Sequence, residues 1–208
     1  MANKYSLTKN KKVWCGITLF QIKAEMSFGN VSKGDLGGWI EKEKNLSQED
    51  NSWVSGNAQV YGNAQVYGNA RVYGNARVYG DAQVYGNARV YGNARVYGDA
   101  RVYGDAWVSG NACVYGNACV YGNALVYGDA LVSGNAWVYG DARVYGKLKL
   151  SLGYFFGYKE KKEKLECIPI DDTYELIAKG EVKVETADDC EHDCEYKFCP
   201  HCGKEIKK

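Results

Sequence analysis

The sequence predicts an all-β protein whose central part is a coil of short parallel strands, and three observations lead to this fold class. A six-residue unit repeats without an insertion from residue 51 to residue 146. Each of its 16 copies has Val at the fourth place and Gly at the sixth. The chain contains 25 Gly and 18 Tyr but only 2 Pro, a composition that excludes collagen and coiled coils.

The repeat unit has the order Asn/Asp, Ala, x, Val, Tyr, Gly and is interpreted as a strand followed by a corner. An α-helix is excluded because residues six apart drift by about 120° around its axis. In a strand, Ala and Val share one face, while x and Tyr share the other. Gly followed by Asn or Asp makes the corner because these residues accept positive φ. Three units close a triangle, so the repeat predicts about five coils filled by Val and Ala.

The order Val-Tyr-Gly-Asn-Ala-x resembles the hexapeptide repeat of the left-handed parallel β-helix superfamily, over 96 of 208 residues. The left hand is implied by that resemblance. Many members are acyltransferases that use acyl-coenzyme A and a His near the coil. Here the two histidines, His192 and His201, lie beyond the repeat, and no loop interrupts the units. We therefore predict a protein without catalytic residues, with acyl-coenzyme A-dependent acyl transfer as the alternative.

The x places point outward, and every third unit belongs to the same face of the triangle. Early units carry arginines, which form the first candidate interaction surface: Arg71, Arg77, Arg89, Arg95 and Arg101. Later units are apolar from Trp107 to Trp137 and form the second, the apolar belt: Trp107, Cys113, Cys119, Leu125, Leu131 and Trp137.

Each outward surface has two interpretations. The apolar belt needs a cover, which is either the C-terminal region or another chain, in a homo-oligomer or with a different protein partner. The arginines alternate with Tyr and suit either nucleic acid or simple solvation along the Tyr rings. Because the repeat holds six Arg and five Asp, it is less one-sided than a phosphate-binding face.

The flanks are interpreted as a cap and a covering region. Residues 1–50 are assigned to an N-terminal β cap, with strands around a turn in 13–22 and a turn leading into a strand in 34–40, because open solenoid ends expose unpaired backbone. Residues 147–187 are predicted to form a hairpin from 165–170 and 174–185, with aromatic residues that cover the belt. The N-terminal flank and the first repeat resemble short hexapeptide-repeat proteins of phages and bacteria.

Residues 188–208 hold four cysteines whose spacing suggests a structural Zn²⁺ site. The segment Phe198 to Lys204 resembles the C-terminal knuckle of a zinc ribbon. Its Cys-x2-Cys spacing lets two thiolates reach one tetrahedral ion. The predicted ligands are Cys190, Cys194, Cys199 and Cys202, with His192 as a possible substitute. The other four cysteines, Cys15, Cys113, Cys119 and Cys167, are predicted to be buried thiols.

Composition restricts the function classes further. The formal net charge of +1 does not indicate a particular class of binding partner. No apolar run is long enough to span a membrane. Residues 1–12 lack the features of a secretion signal, so we expect a cytoplasmic protein. The predicted function is a non-catalytic scaffold that binds a protein partner. The phage resemblance implies a host target, for example a defence complex, in the host cytoplasm.

Overall fold

The computed structural model describes residues 3–157 and the backbone of two further strands, 164–170 and 173–179. In this part of the chain the regular structure is β throughout, apart from one turn of 3-10 helix at Glu43–Asn45. Three strands precede the repeat: β1 (Tyr5–Trp14), β2 (Ile17–Ala24) and β3 (Leu36–Ile40).

Most repeat units contribute a two-residue strand, formed by the x and Val places, because the Gly-Asn corners limit its length. These strands are β4 (Trp53–Val54), β5 (Gln59–Val60), β6 (Gln65–Val66), β7 (Arg71–Val72), β8 (Arg77–Val78), β9 (Gln83–Val84), β10 (Arg89–Val90), β11 (Arg95–Val96), β12 (Arg101–Val102), β13 (Trp107–Val108), β14 (Cys113–Val114), β15 (Cys119–Val120), β16 (Leu125–Val126) and β18 (Arg143–Val144). Between them β17 (Leu131–Gly140) spans two units, and β19 (Lys149–Gly157) follows.

The strands stack into three parallel faces, as the reading of every third unit predicts. Face 1 contains β4, β7, β10, β13, β16 and β18. Face 2 runs from β3 through β5, β8, β11 and β14 to β17, and face 3 runs from β6 through β9, β12 and β15 to β17. The protein is therefore a β-solenoid.

The interior of the solenoid is filled by the Val and Ala places, as predicted. Every repeat Val is at most 3% exposed and every repeat Ala at most 5%. Larger side chains would overfill so narrow a prism. On the outside, tyrosines of successive coils stack, and the rings of Tyr79 and Tyr97 lie 4.8 Å apart with planes 1° from parallel.

The corner glycines are required for two reasons. Gly86, for example, has φ of +68°, a conformation that L side chains rarely adopt. A Cβ atom built on Gly86 would also lie 2.9 Å from the amide nitrogen of Gly104 in the next coil. The corner therefore excludes a side chain by backbone conformation and by close stacking.

Side chains of the Asn/Asp place form hydrogen-bonded ladders along the corners. Asn51 Nδ2 donates to Asn69 Oδ1 at 3.2 Å, and Asn69 Nδ2 donates to Asn87 Oδ1 at 3.0 Å. Asn87 in turn donates to Asp105 at 2.9 Å. Because a carboxylate only accepts hydrogen bonds, the ladder ends there.

The solenoid is longer than the repeat predicts, with about seven coils instead of five. At the N-terminal end, Ile40 pairs with Val60 and Leu46 pairs with Val66. At the other end, Leu150 pairs with Val132 and Phe155 with Val138. These inward apolar residues continue the core without the Gly-Asn corner, so the hexapeptide pattern does not reveal them.

The N-terminal strands continue the sheet of face 2. Strands β1 and β2 form an antiparallel hairpin, β3 pairs antiparallel with β2, and β3 lies parallel to β5. The turn between β1 and β2 is made by Cys15 and Gly16, which have φ of +49° and +78°. The prediction that Cys15 is buried is wrong, because the turn exposes it.

The structure agrees with the predictions for two further cysteines and for the C-terminal hairpin. Cys113 and Cys119 are buried free thiols, as predicted. The strands β20 (Lys164–Ile170) and β21 (Thr173–Lys179) pair antiparallel, close to the predicted hairpin arms. The side chain of Cys167 and all of residues 180–208, with the predicted zinc ligands, lie outside the described residues.

Candidate functional site: a groove on face 1

A groove of about 1090 Å³ lies between face 1 and the segment 27–36, which we call the cap loop. We refer to it as the face 1 groove. Its floor is formed by the first four coils of face 1 and the adjoining corner, with Asn51, Trp53, Ser55, Asn69, Arg71, Tyr73, Asn87, Arg89 and Asp105. Its wall is formed by the cap loop, with Gly29, Asn30, Val31, Asp35 and Leu36.

Backbone hydrogen bonds hold the cap loop in place above the first coil. Phe28 and Val31 exchange two N–H···O bonds of 3.0 and 2.9 Å. The amide of Gly34 donates to the carbonyl of Ala24 at 2.8 Å, which ties the loop to the end of β2. The amide of Ser32 donates to the Asp35 carboxylate at 2.8 Å. The wall of the groove is therefore held by hydrogen bonds within the chain itself.

Trp53 closes the inner end of the groove. It is 5% exposed, and its ring meets those of Phe28 and Tyr5 edge-on, with centroids 5.4 and 6.4 Å apart. Gly37 makes room for it, because a Cβ on Gly37 would lie 2.7 Å from Trp53 Cζ2. In the same unit Ser55 replaces the usual Tyr, and this smaller side chain leaves room for the Trp53 ring on the outer side of the coil.

The substitution of Ser for Tyr is a sequence signal that our sequence analysis did not use. The x place and the Tyr place share the outer side of one strand, so Ser at the Tyr place leaves room for a Trp at the x place. The pair occurs again as Trp107 and Ser109. The pairing is not general, because Trp137 is followed by Tyr139 and Ser133 follows Leu131.

Arg71 lies half-buried at the centre of the floor. A Cβ on Gly29 would lie 2.9 Å from Arg71 Nη2, so the guanidinium packs directly against the cap loop. Burial lowers the pKa of Arg71, and the positive charge of Arg89 lowers it further. Arg89 is exposed, and its guanidinium lies 4.8 Å from the centre of the Trp107 ring.

Neither guanidinium has an ion-pair partner among the described residues. No carboxylate in this part of the chain lies within 4.0 Å of Arg71 or Arg89. The two carboxylates that line the groove accept hydrogen bonds from their own surroundings instead, Asp105 from Asn87 and Asp35 from Ser32. The groove thus combines unpaired cations, held carboxylates and the amides of the Asn ladder.

Lys4, the buried residue that precedes β1, binds the backbone at the start of the first repeat unit. Lys4 is 3% exposed, and its Nζ donates to the carbonyls of Asp50 and Ser52 at 2.9 and 3.0 Å. The Nζ atom also lies 5.1 Å from the centre of the Phe28 ring, at the start of the cap loop. Lys4 therefore links the wall of the groove to its floor.

The remaining predicted arginines lie on the other faces and are not brought into the groove. On face 2, the guanidinium of Arg77 lies 4.3 Å from the centre of the Trp14 ring, under the β1–β2 hairpin. Arg95, also on face 2, and Arg101, on face 3, are exposed. The five arginines therefore form separate groups, and Arg71 and Arg89 are the two that line the face 1 groove.

The six residues of the apolar belt differ in how far they are exposed on the solenoid. Cys113 and Cys119 are buried and Leu125 and Leu131 are half-buried, whereas Trp107 and Trp137 are each 37% exposed. Within the last coil, the ring of Tyr154 lies 5.5 Å from that of Trp137. Phe156 stacks on Tyr139 at 5.8 Å. Of the predicted covering region 147–187, strand β19 forms the last coil, and the side chains after residue 157 lie outside the described residues.

The described residues contain neither a candidate metal cluster nor a helix that could span a membrane. Among residues 3–157, no group of three His, Cys, Asp or Glu side chains is placed to hold a metal ion. In the same part of the chain, no helix has the length and apolarity needed to cross a membrane.

The stacked faces and the repeat define a β-solenoid repeat protein. A family model described as YdcK beta solenoid repeat matches the chain in six segments: 64–80, 70–84, 82–96, 94–110, 118–134 and 124–140. The chain is similar to that family over the middle of the repeat. None of the curated proteins compared with the chain matches it.

Proposed function

We propose that the protein is a non-catalytic scaffold that acts by binding another protein. The observation that carries this proposal is the face 1 groove, where two guanidinium groups that have no carboxylate partner among the described residues lie beside amide and aromatic groups. Such a mixture of charge, hydrogen-bonding groups and an aromatic ring is typical of surfaces that recognise proteins.

The rigidity of the solenoid supports the same function. The buried Val and Ala columns, the Asn ladders and the stacked tyrosines fix the outward side chains before a partner arrives. A preorganised surface loses little conformational entropy on binding, so more of the contact energy becomes affinity.

The finer features of the proposal rest on the resemblance to short hexapeptide-repeat proteins. They are left-handed coiling, a phage or prophage origin, and action in the host cytoplasm on a host protein such as a defence complex. The C-terminal region is proposed to carry a structural Zn²⁺ bound by Cys190, Cys194, Cys199 and Cys202, or by His192 in place of one cysteine. Homo-oligomer formation through the outer faces is compatible with this function.

Native mass spectrometry of the tagged full-length protein, purified from its own host, tests the proposed function. We expect a complex of fixed stoichiometry with one partner protein, which re-forms when the two purified proteins are mixed. Titration calorimetry with acetyl-coenzyme A serves as the comparison, and we expect no heat of binding. A protein that carries no partner and binds acetyl-coenzyme A would contradict the proposal and support acyl transfer.

A further inference from the structure

We propose that the face 1 groove binds an extended acidic segment of the partner protein, with Arg71 and Arg89 holding its carboxylates. This inference rests on the proposed function, since it names the site and the chemistry of the partner. It follows from the charges of the groove, from its shape and from the groups that line it.

The first argument is the electrostatic state of the two arginines. Arg71 and Arg89 are direct partners on the parallel strands β7 and β10, so they occupy neighbouring rungs about 4.8 Å apart at the backbone. Arg71 is half-buried, and no carboxylate of the described residues lies within 4.0 Å of either guanidinium. An incoming carboxylate would neutralise the repulsion and restore hydrogen bonds to a partly desolvated cation.

The second argument is the net charge of residues 3–157, to which the N-terminal strands and residues 147–149 contribute more than the repeat. Residues 3–157 contain 16 Lys and Arg and 11 Asp and Glu, a formal charge of +5, whereas the full chain has +1. An acidic partner is therefore attracted to this part of the protein before contact.

The shape of the groove fits an extended segment. Its lining crosses four rungs of one corner, from Asn51 through Asn69 and Asn87 to Asp105, a length of roughly 14 Å at strand spacing. About four residues of extended chain cover that distance. At the wall, the 56% exposed side chain of Leu36 offers an apolar contact beside the charged floor.

The lining favours a peptide over a nucleic acid. Each Asn of the ladder uses one N–H and one acceptor lone pair along the corner, so further amide donors and acceptors remain for peptide groups. Asp35 and Asp105 lie in the same groove and would repel a continuous phosphate backbone. An acidic peptide carries its carboxylates on side chains, which can turn toward the arginines and away from these two positions.

The chain itself contains a competing acidic segment. Residues 181–195 hold seven Asp and Glu and one Lys. This segment has the same chemistry as the proposed ligand and is covalently attached to the solenoid. The experiment must therefore distinguish binding of the chain's own acidic segment from binding of a separate partner protein.

Fluorescence anisotropy with labelled hexaglutamate and the full-length protein at low salt tests the proposal. We expect binding that weakens about tenfold in Arg71→Ala and in Arg89→Ala, since each removes a charge-assisted contact. The matched controls are Arg95→Ala and Arg101→Ala, which change the same place of the repeat unit on faces 2 and 3, and both should retain wild-type affinity. Labelled hexaglutamine should not bind. Because Arg89 is exposed, Arg89→Ala tests the site even if Arg71→Ala disturbs folding.

Four results would overturn the proposal. Equal losses in all four arginine variants would show a diffuse charge effect without a groove. Tighter binding of a labelled hexathymidylate than of hexaglutamate would assign the arginines to nucleic acid. Binding of hexaglutamate only in the full-length Glu185→Gln/Asp188→Asn/Asp189→Asn variant would assign the groove to the chain's own acidic segment. A partner that co-purifies equally with Arg71→Ala/Arg89→Ala would overturn the groove proposal and leave the scaffold function standing.

Discussion

Lys4 Nζ lies 3.7 Å from Asp50 Oδ1, and this ion pair joins the start of β1 to the residue that precedes the repeat. Burial raises the pKa of Asp50, but hydrogen bonds from Ser52 and from the Gly68 amide more than offset it, so the pKa lies below its ordinary value. For Lys4, burial outweighs the attraction of Asp50 and lowers the pKa to about 8. The Lys4 ammonium group of this ion pair therefore begins to lose its proton just above neutral pH.

We predict that Lys4 contributes more to the stability of the protein as the pH rises from 8 to 10. In this range the unfolded chain, with the ordinary Lys pKa near 10.5, binds more protons at Lys4 than the folded chain. The contribution of Lys4 to the free energy of unfolding therefore increases with pH, by about 2 kcal/mol at most. Urea unfolding of wild type and Lys4→Met at both pH values measures it. The wild type should gain stability relative to Lys4→Met over this range, and parallel curves for the two proteins would contradict the prediction.

We predict that a corner glycine inside the stack is more sensitive than one at its end. Gly86→Ala combines a strained positive φ with a 2.9 Å contact to the next coil and should lose about 2 to 4 kcal/mol of unfolding free energy. Gly146 has a similar φ of +67°, but a Cβ there meets no described atom within 4 Å. Gly146→Ala should therefore lose only about 1 kcal/mol. Equal losses of unfolding free energy in chemical denaturation would show that the positive φ alone determines the cost, without the contact to the next coil.

The corner ladders predict a stabilising substitution. Asp81 and Asp99 occupy successive rungs of one corner, where Asn63 donates to Asp81 at 3.0 Å but neither carboxylate can donate onward. Asp99→Asn removes the like-charge contact and supplies a donor, so it should gain about 0.5 kcal/mol. The opposite change, Asn87→Asp, should lose a similar amount because it places a second carboxylate beside Asp105. Thermal unfolding at low salt compares them, and a loss in Asp99→Asn would argue against the ladder.

Thiol labelling should distinguish the described cysteines. Cys15 is exposed in the β1–β2 turn, whereas burial raises the pKa of the Cys113 and Cys119 thiols and reduces their thiolate fraction. We expect iodoacetamide to modify Cys15 at least tenfold faster than Cys113 or Cys119 at pH 8, measured by peptide mass spectrometry. In urea the three rates should converge. Fast modification of Cys113 in the folded protein would contradict its buried position.

Zinc content tests the predicted C-terminal site. Metal analysis should find one Zn²⁺ for each chain, and Cys199→Ser/Cys202→Ser should lose it. Cys113→Ser/Cys119→Ser is the matched control, with the same number of thiols removed from the solenoid, and should keep its zinc. A metal-free wild type purified with added zinc, or full zinc content in Cys199→Ser/Cys202→Ser, would show that these cysteines do not form the site.

Much of the fold follows from the repeat, because in this protein local sequence and packing have the same period. A six-residue unit with Val and Ala on one side and a Gly-Asn corner favours a triangular coil that buries every Val, and the structure has the three faces that this geometry predicts. The first and last coils were not predicted. Ile40, Leu46 and Leu150 fill the same core from segments without the corner motif.

The sequence by itself determined the coil, its apolar interior and which outward residues share a face, because each of these depends only on strand periodicity. The tertiary structure decided which outward residues form a site. Arg71 and Arg95 occupy the same place of the unit, yet only Arg71 lies under the cap loop, beside Gly29 and near Trp53. That difference arises from the path of residues 27–36 over face 1, a long-range packing that no repeat pattern encodes.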